Sequence, residues 1–272
     1  MKYLRYSILA LWLLFTLSCR LSVPVRLNIA STPLPAIQPT ATSFPSLTPP
    51  PTSNSAPALK ITEQKIQEQS QSPSYQIDIT TPRLEGSIPT LDLLNQAIDQ
   101  LITEQVDSFK KSAREIEDWR AQNLPDVSSF LQIGYKATYT DSNLVSLLFE
   151  INLYSAGAAH PGSSTVSLNY DLKQGKTLSL AALFQPGSPY LEALSQSCVQ
   201  QLSQNGALEF SEGARPEEKN FKSWNITPDG LQITFDPYQV APYALGPQTV
   251  VVPYSALKAL LPPNSPLMVV IQ

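Results

Sequence analysis

The chain contains few of the residue types that enzymes use for nucleophilic or metal-assisted catalysis. Its 272 residues include one histidine, His160, and two cysteines, Cys19 and Cys198. A Ser-His-Asp or Cys-His arrangement would depend on His160 alone, and a zinc site would have too few ligands. The sequence also lacks the G-x-S-x-G, H-E-x-x-H and G-x-x-x-x-G-K-[ST] motifs. We therefore predict no catalytic residues, no metal and no cofactor.

Residues 1–19 have the pattern of an export signal. Two basic residues precede an apolar run, Ile8 to Leu17, which is too short for an ordinary membrane-spanning helix. A serine stands directly before Cys19, as in bacterial lipoproteins, although Thr16 occupies a position where Leu or Val is usual. We expect lipid attachment at Cys19 and a location in the cell envelope, periplasmic or on the outer surface. An uncleaved anchor and free secretion are the alternatives.

Residues 20–72 have the composition of a disordered linker. Arg26 is the only charge between Leu21 and Leu59, and prolines, serines and threonines fill most of this stretch. Such a segment cannot bury a core, and its prolines favour extended polyproline II over helix or sheet. We expect it to separate a folded domain from the membrane.

The part of the chain after the linker is acidic. Four of the 18 bases precede Lys60, so the remainder carries 14 bases and all 22 acidic residues, a net charge of −8. This charge argues against binding to nucleic acid or anionic lipid headgroups and favours a basic partner. Acidity that serves only solubility is the simpler alternative.

Hydrophobic periodicity predicts an α+β fold. YQIDITTP alternates as a strand, and the next 30 residues place apolar side chains at helical spacing, with Thr90 as the cap. FLQIGYKATYT, LVSLLFEINLY and STVSLNYDL then predict an antiparallel meander. SPYLEALSQSCVQQLSQNG predicts a second, shorter helix with Ser188 as the cap, Cys198 in the core and Gly206 as the stop. Further strands are predicted around residues 221–235 and 248–252 and in PLMVVIQ. We expect an antiparallel sheet with both helices packed on it.

Two loops contain the candidate ligand contacts. His160 follows small residues in YSAGAAHPG, and Tyr238 and Tyr243 lie on the proline-stiffened loop DPYQVAPYALG. Tyrosines on stiff loops lose little entropy on binding, although both rings could instead pack over the edge of the core. We interpret His160 mainly as an ordering residue that hydrogen-bonds backbone at a strand end. Paired carboxylates for glycoside hydrolysis stay possible if Glu150, Asp171 and Asp236 converge.

Three stretches together resemble a known family of extracellular modules. YQIDITTPRLEG, with the helix that follows, resembles the N-terminal unit of PdaC-type modules. YSAGAAHPGSSTVSLNYDLKQGKTLSLAALF and GLQITFDPYQVAPYALGPQTVVVPYSALKALL resemble the RsiV-type C-terminal module, a domain-of-unknown-function family. The resemblance covers about residues 73–262. It implies an N-terminal unit at 73–155 and a C-terminal unit at 156–272, fused into one globular body.

The resemblance also suggests a function. In the best understood relative the module belongs to an anti-sigma factor and binds lysozyme, a basic protein. The signalling role and PdaC-type deacetylation do not carry over, since their sequence parts are missing here. The resemblance implies a membrane-tethered binding or sensing module for lysozyme-like hydrolases, with Tyr154, His160, Tyr238 and Tyr243 as possible contacts. Binding to peptidoglycan, or cell-wall glycan hydrolysis by carboxylates, is the alternative.

Overall fold

The computed structural model describes residues 59–271, which contain two β-sheets and three helices. The strands of the larger sheet, in their order across it, are β1 (Lys60–Gln71), β2 (Ser74–Glu85), β3 (Ser129–Thr140), β4 (Leu144–Tyr154), β5 (Gly162–Asp171) and β6 (Lys176–Thr177). The smaller sheet consists of β7 (Trp224–Ile226), β8 (Gly230–Phe235) and β9 (Gln248–Pro253). The helices are α1 (Leu91–Asn123), α2 (Tyr190–Gln204) and α3 (Tyr254–Leu257). The predicted signal peptide, Cys19 and the linker as far as residue 58 lie outside the described residues.

Strand β1 corrects the predicted extent of the linker. Residues 60–71 were expected to be disordered, but they pair with β2 along their full length, from Lys60↔Glu85 to Gln71↔Ser74. Most β1 side chains are exposed, and the strand's sequence has no run of alternating apolar residues that would have predicted it. An edge strand satisfies its backbone through one neighbour, and polar, charged side chains suit its solvated position.

Helix α1 connects two parallel strands. Its buried residues recur at helical spacing, as predicted, and include Leu94, Ile98 and Phe109. It leads from β2 into β3, which pairs parallel to β2, so the sheet is mixed and not wholly antiparallel as expected. A helical crossover returns the chain to the same end of the sheet, which makes a parallel pair. The Thr90 hydroxyl does not cap α1; it donates to the carbonyl oxygen of Leu172.

Strands β3, β4 and β5 form the predicted antiparallel meander. Alternate β4 side chains, Val145, Leu147, Phe149 and Ile151, are buried in the core that the sheet shares with α1. Ser146, Glu150 and Asn152 alternate with them and therefore lie on the opposite face of the sheet.

The second helix packs on the smaller sheet and not on the larger one. Leu194, Cys198 and Leu202 of α2 join Ile233 and Val252 of that sheet in a second core. The prediction that Ser188 caps α2 is wrong: the helix begins at Tyr190, and the buried Ser188 hydroxyl has no hydrogen-bond partner. Gly206 ends the helix as predicted, with a left-handed φ of 67°.

The C-terminal segment also differs from the prediction. PLMVVIQ was expected to be a strand, but Pro266–Val269 form a 3₁₀ turn. Proline favours the first position of a helical turn, and Leu267 alone of this turn is fully buried. A run of apolar residues without alternation does not by itself distinguish a strand from a turn.

A polar seam joins the outer face of the larger sheet to β7. Asn225 is fully buried and its amide donates to Ser146 Oγ at 3.0 Å and to the Leu147 carbonyl oxygen at 2.9 Å. Ser167 Oγ donates to Asn225 Oδ1 at 2.8 Å, and Asn169 Nδ2 donates to the Trp224 carbonyl oxygen at 2.7 Å. Hydrogen bonds depend on direction, so the seam fixes how the smaller sheet lies against the larger one.

Candidate functional site

Three of the four predicted contact residues lie together on the surface. The loop from β4 to β5 carries His160, and the loop from β8 to β9 carries Tyr238 and Tyr243. The ring centroids of His160 and Tyr243 are 4.3 Å apart, and those of Tyr238 and Tyr243 are 5.6 Å apart. Tyr243 therefore joins the two loops, which are about 80 residues apart in the chain.

Hydrogen bonds to one carbonyl group hold this arrangement. Tyr243 Oη donates to the carbonyl oxygen of Pro161 at 2.7 Å. His160 Nδ1 lies 2.8 Å from the same oxygen, which can only accept, so Nδ1 carries the hydrogen. This is the backbone contact at a strand end that the interpretation of His160 as an ordering residue predicts. Whether the ring also touches a ligand stays a prediction.

Tyr238 is exposed and has an unusual backbone conformation. Its side chain is 59% exposed, and its φ of 69° lies in the left-handed region. That region is unfavourable for a bulky residue, at a cost on the order of 1 kcal/mol. Its amide N–H donates to the Ala241 carbonyl oxygen at 3.0 Å, which closes the turn. The protein thus holds a large aromatic ring in water in a strained conformation.

Trp119, near the end of α1, packs against the loop of His160 at Gly157. Gly157 has a φ of 93°, and a Cβ atom there would lie 2.8 Å from two atoms of the Trp119 ring. The indole is still 51% exposed. Arg120 fixes this end of the helix by donating to three carbonyl oxygens of the following turn. We call Trp119, His160, Tyr238 and Tyr243 the aromatic ridge.

Tyr154 does not join the aromatic ridge. It lies at the end of β4, half-buried, with its ring 5.7 Å from that of Phe130 and nearly parallel to it. Its role as a ligand contact stays a prediction. Sequence reasoning missed Trp119 because an aromatic residue near the end of an amphipathic helix reads as part of its packing face.

An acidic segment borders the loop of Tyr238. The backbone amides of Glu209 and Phe210 both donate to the Val240 carbonyl oxygen at 2.9 Å. Gln239 Nε2 donates to the carbonyl oxygens of Gly213 and Asn220 at 3.0 and 2.9 Å. Residues 209–219 contain four glutamates against two bases. Negative charge and an exposed phenylalanine, Phe210 at 38% exposure, therefore lie beside the ridge.

A polar cleft opens between the outer faces of the two sheets. Its volume is about 580 Å³. The residues that line it come from β3, β4 and β5 on one wall and from β8, β9 and the residue before β9 on the other: Lys136, Thr138, Leu148, Glu150, Asn152, Ser163, Thr165, Gln232, Thr234, Pro247 and Thr249. Ser163 and Pro247 follow the two ridge loops in the chain, so the cleft begins where the ridge ends.

The three candidate carboxylates have different partners. Glu150 lines the cleft and forms an ion pair with Lys136 at 2.5 Å. Asp236 accepts from the amide and hydroxyl groups of Thr165, both at 2.8 Å. Burial raises the pKa of the Asp236 carboxyl, and the hydrogen bonds from Thr165 oppose that shift. Asp171 holds the β5–β6 turn through the amides of residues 173 and 174.

Cys198 is a core residue, as predicted. Its side chain is fully buried, and burial raises the pKa of its thiol to about 12. A thiol that stays protonated at neutral pH is a poor nucleophile and a poor metal ligand. Within residues 59–271, no group of three His, Cys, Asp or Glu side chains is placed to hold a metal ion. No helix in this range is long and apolar enough to cross a bilayer.

Two family models match successive parts of the chain. The model described as deacetylase PdaC matches residues 68–163, and the model described as a protein of unknown function, DUF3298, matches residues 181–255.

Curated relatives agree with these matches. The chain is 27% identical over 173 residues to the peptidoglycan-N-acetylmuramic acid deacetylase PdaC of Bacillus subtilis. That match covers 62% of this chain but only 36% of the deacetylase, so the chain spans about a third of that protein. It is also 23% identical over 202 residues to the immunogenic protein MPT64 of Mycobacterium tuberculosis, a match that covers 74% of this chain and 84% of MPT64.

Solved structures share the fold. A DUF3298 family member from Bacteroides fragilis superposes with a TM-score of 0.59 at 20% identity, covering 76% of this chain and 94% of the other. A DUF3298 family protein from Pseudomonas aeruginosa gives a TM-score of 0.56 at 18% identity, covering 76% and 95%. The α+β fold predicted from the sequence is therefore confirmed. Residues 68–163 and 181–255 are thus similar to successive parts of a PdaC/DUF3298-type module, a similarity that indicates an extracytoplasmic module.

Proposed function

We propose that the domain is a membrane-tethered binding or sensing module that recognises a basic protein, such as a lysozyme-like hydrolase, through the aromatic ridge. The observation that carries this proposal is the convergence of His160, Tyr238 and Tyr243, from two distant loops, on one exposed surface. The tether is the lipid that we expect on Cys19.

The ridge has the properties of a binding hot spot. Tyrosine and tryptophan dominate such spots because they bury a large area and lose few rotamers on contact. The Tyr243–Pro161 hydrogen bond and the Trp119–Gly157 contact order both loops before any partner arrives. A preordered surface loses less entropy on binding. Holding Tyr238 exposed in a left-handed conformation is otherwise only a cost to stability.

Charge supports a basic partner. The acidic segment lies directly against the loop of Tyr238, and the chain from Lys60 onward has a net charge of −8. Opposite charges at the rim of an interface accelerate association and make it sensitive to salt. The lysozyme-like partner itself is suggested by the resemblance to RsiV-type modules.

The arrangement of the acids favours binding over catalysis. Glycoside hydrolysis needs two carboxyl groups that face the same bond. Of the three candidates, Glu150 is paired with Lys136, Asp236 is engaged with Thr165, and Asp171 holds a turn. The deacetylase named among the relatives is far longer than the matched region. We therefore propose that this module does not itself hydrolyse or deacetylate glycan.

Isothermal titration of the full chain with a c-type lysozyme tests the proposal. We expect binding that weakens between about 50 mM and about 200 mM NaCl, because the Debye length shrinks over that range. Tyr238→Ala should weaken binding by about tenfold or more, or ~1.4 kcal/mol. Ile66→Ala is the matched control, because it removes an exposed apolar side chain, at 41% exposure, from β1. Absence of heat at both salt concentrations, or equal affinity of the two variants, would refute the proposal.

A further inference from the structure

The cleft between the sheets has a composition that the aromatic ridge does not explain. Its walls carry the hydroxyls of Thr138, Ser163, Thr234 and Thr249 and the amides of Asn152 and Gln232. A volume of about 580 Å³ lies within the range of ligand-binding clefts, about 300–1,000 Å³. Unlike most such clefts, it is lined mainly by polar residues.

The cleft carries no net charge. Lys136 and Glu150 are the only charged residues that line it, and they neutralise each other at 2.5 Å. An anionic ligand would need an unpaired cation, and a cationic ligand would need an unpaired carboxylate. A neutral ligand rich in hydroxyl and amide groups leaves this ion pair intact and finds both donors and acceptors on either wall.

We propose that this cleft binds a neutral oligosaccharide. Hydroxyl and amide side chains match the alternating donors and acceptors of a sugar, while the exposed Pro247 offers a small apolar surface for its C–H groups. Asn152 and Thr249 are exposed, so their polar atoms are not consumed by the fold. Thr138 and Thr165 bond to Ser146 and Asp236, so the donors and acceptors for a ligand come mainly from the other polar residues of the cleft.

The cleft also has an open end for a chain of sugars. Ser163 lies two residues after Pro161, whose carbonyl accepts from Tyr243, and Pro247 lies in the same loop as Tyr243. A sugar chain that leaves the cleft at this end passes the ridge, where aromatic faces can pack on sugar C–H groups. Oligomers should therefore bind more tightly than single sugars.

Titration of the full chain with two neutral tetrasaccharides tests the site. One is the β-1,4-linked N-acetylglucosamine tetramer, which represents N-acetylated wall glycan, and the other is cellotetraose, which represents plain glucan. Binding should be monitored by saturation-transfer NMR and calorimetry at low and moderate salt. Gln232→Ala and Asn152→Ala remove one amide from each wall. Gln96→Ala removes an exposed amide from α1 and serves as the matched control.

We expect at least one tetrasaccharide to bind, with a dissociation constant that salt leaves unchanged. Each wall variant should weaken binding by about threefold to tenfold, as expected for one lost hydrogen bond, and Gln96→Ala should not. A preference between the two probes identifies the source of the ligand. No binding of either probe, or binding that the wall variants leave unchanged, overturns the proposal. The proposed lysozyme binding should instead be sensitive to salt and depend on Tyr238. Failure of the sugar proposal can therefore be distinguished from failure of the lysozyme proposal.

Discussion

Replacing Asn225 by alanine should reveal how strongly the polar seam joins the two sheets. The side chain is fully buried and takes part in three hydrogen bonds, to Ser146, to the Leu147 carbonyl oxygen and from Ser167, between 2.8 and 3.0 Å. Each is worth about 1 kcal/mol net, and their partners stay in a dry environment after the change. We expect the free energy of unfolding to fall by about 3 kcal/mol. For a domain of this size, that lowers Tm by roughly 6–12 °C.

Urea unfolding followed by circular dichroism measures this loss, and the slope with denaturant should stay the same in both proteins. Asn264→Ala is the control, because the side chain of Asn264 is exposed. If Asn225→Ala is as stable as Asn264→Ala, the seam contributes no net stability. The polar contacts would then be incidental to the alignment of the sheets.

Two further predictions concern the loops. Gly157→Ala should destabilise the protein by about 2 kcal/mol and weaken lysozyme binding, since it combines a left-handed φ with a Cβ 2.8 Å from Trp119. Gly187→Ala is the control, because Gly187 has a φ of 74° with open space around it, and its free energy of unfolding should fall by only about 1 kcal/mol. Equal losses of stability in the two variants, measured by thermal unfolding, would contradict a steric clash with Trp119. The other prediction concerns Asp236, whose folded-state pKa is raised by burial. The ionised form of a group with a raised pKa opposes folding. The stability that the protonated form provides is therefore lost as pH rises through the folded-state pKa. Asp236→Asn keeps the acceptor for Thr165, so the variant should be more stable than the parent at pH 7. Urea unfolding should show that this gain in stability shrinks toward pH 4. A gain that is constant with pH would exclude this linkage.

The elements with a clear hydrophobic period could be predicted from the sequence. Strand β4 and helices α1 and α2 bury most of the apolar positions that their periods indicated. Strand β1 could not be predicted in this way, because a strand at the edge of a sheet has little apolar surface to bury. The parallel pairing of β2 with β3 also has no local signature, since it depends on where α1 returns the chain.

The candidate site could be predicted only in part. Proline-stiffened tyrosines and a lone histidine after small residues were visible as local patterns, and the structure brings those three residues together. The contribution of Trp119 depends on a contact with Gly157, some forty residues later, which no local pattern indicates. The cleft arises from outward positions on five strands of two sheets. Most of those positions appear in the sequence as polar residues between buried ones.

Different polar residues align the two sheets and line the cleft. Seam residues such as Asn225 and Ser167 set the alignment of the sheets, whereas cleft residues such as Asn152 and Thr249 make no contact in the seam. We therefore expect substitutions at such cleft residues to change the proposed binding of a sugar while the fold stays intact. The architecture itself is kept at 20% sequence identity in the DUF3298 family member from Bacteroides fragilis.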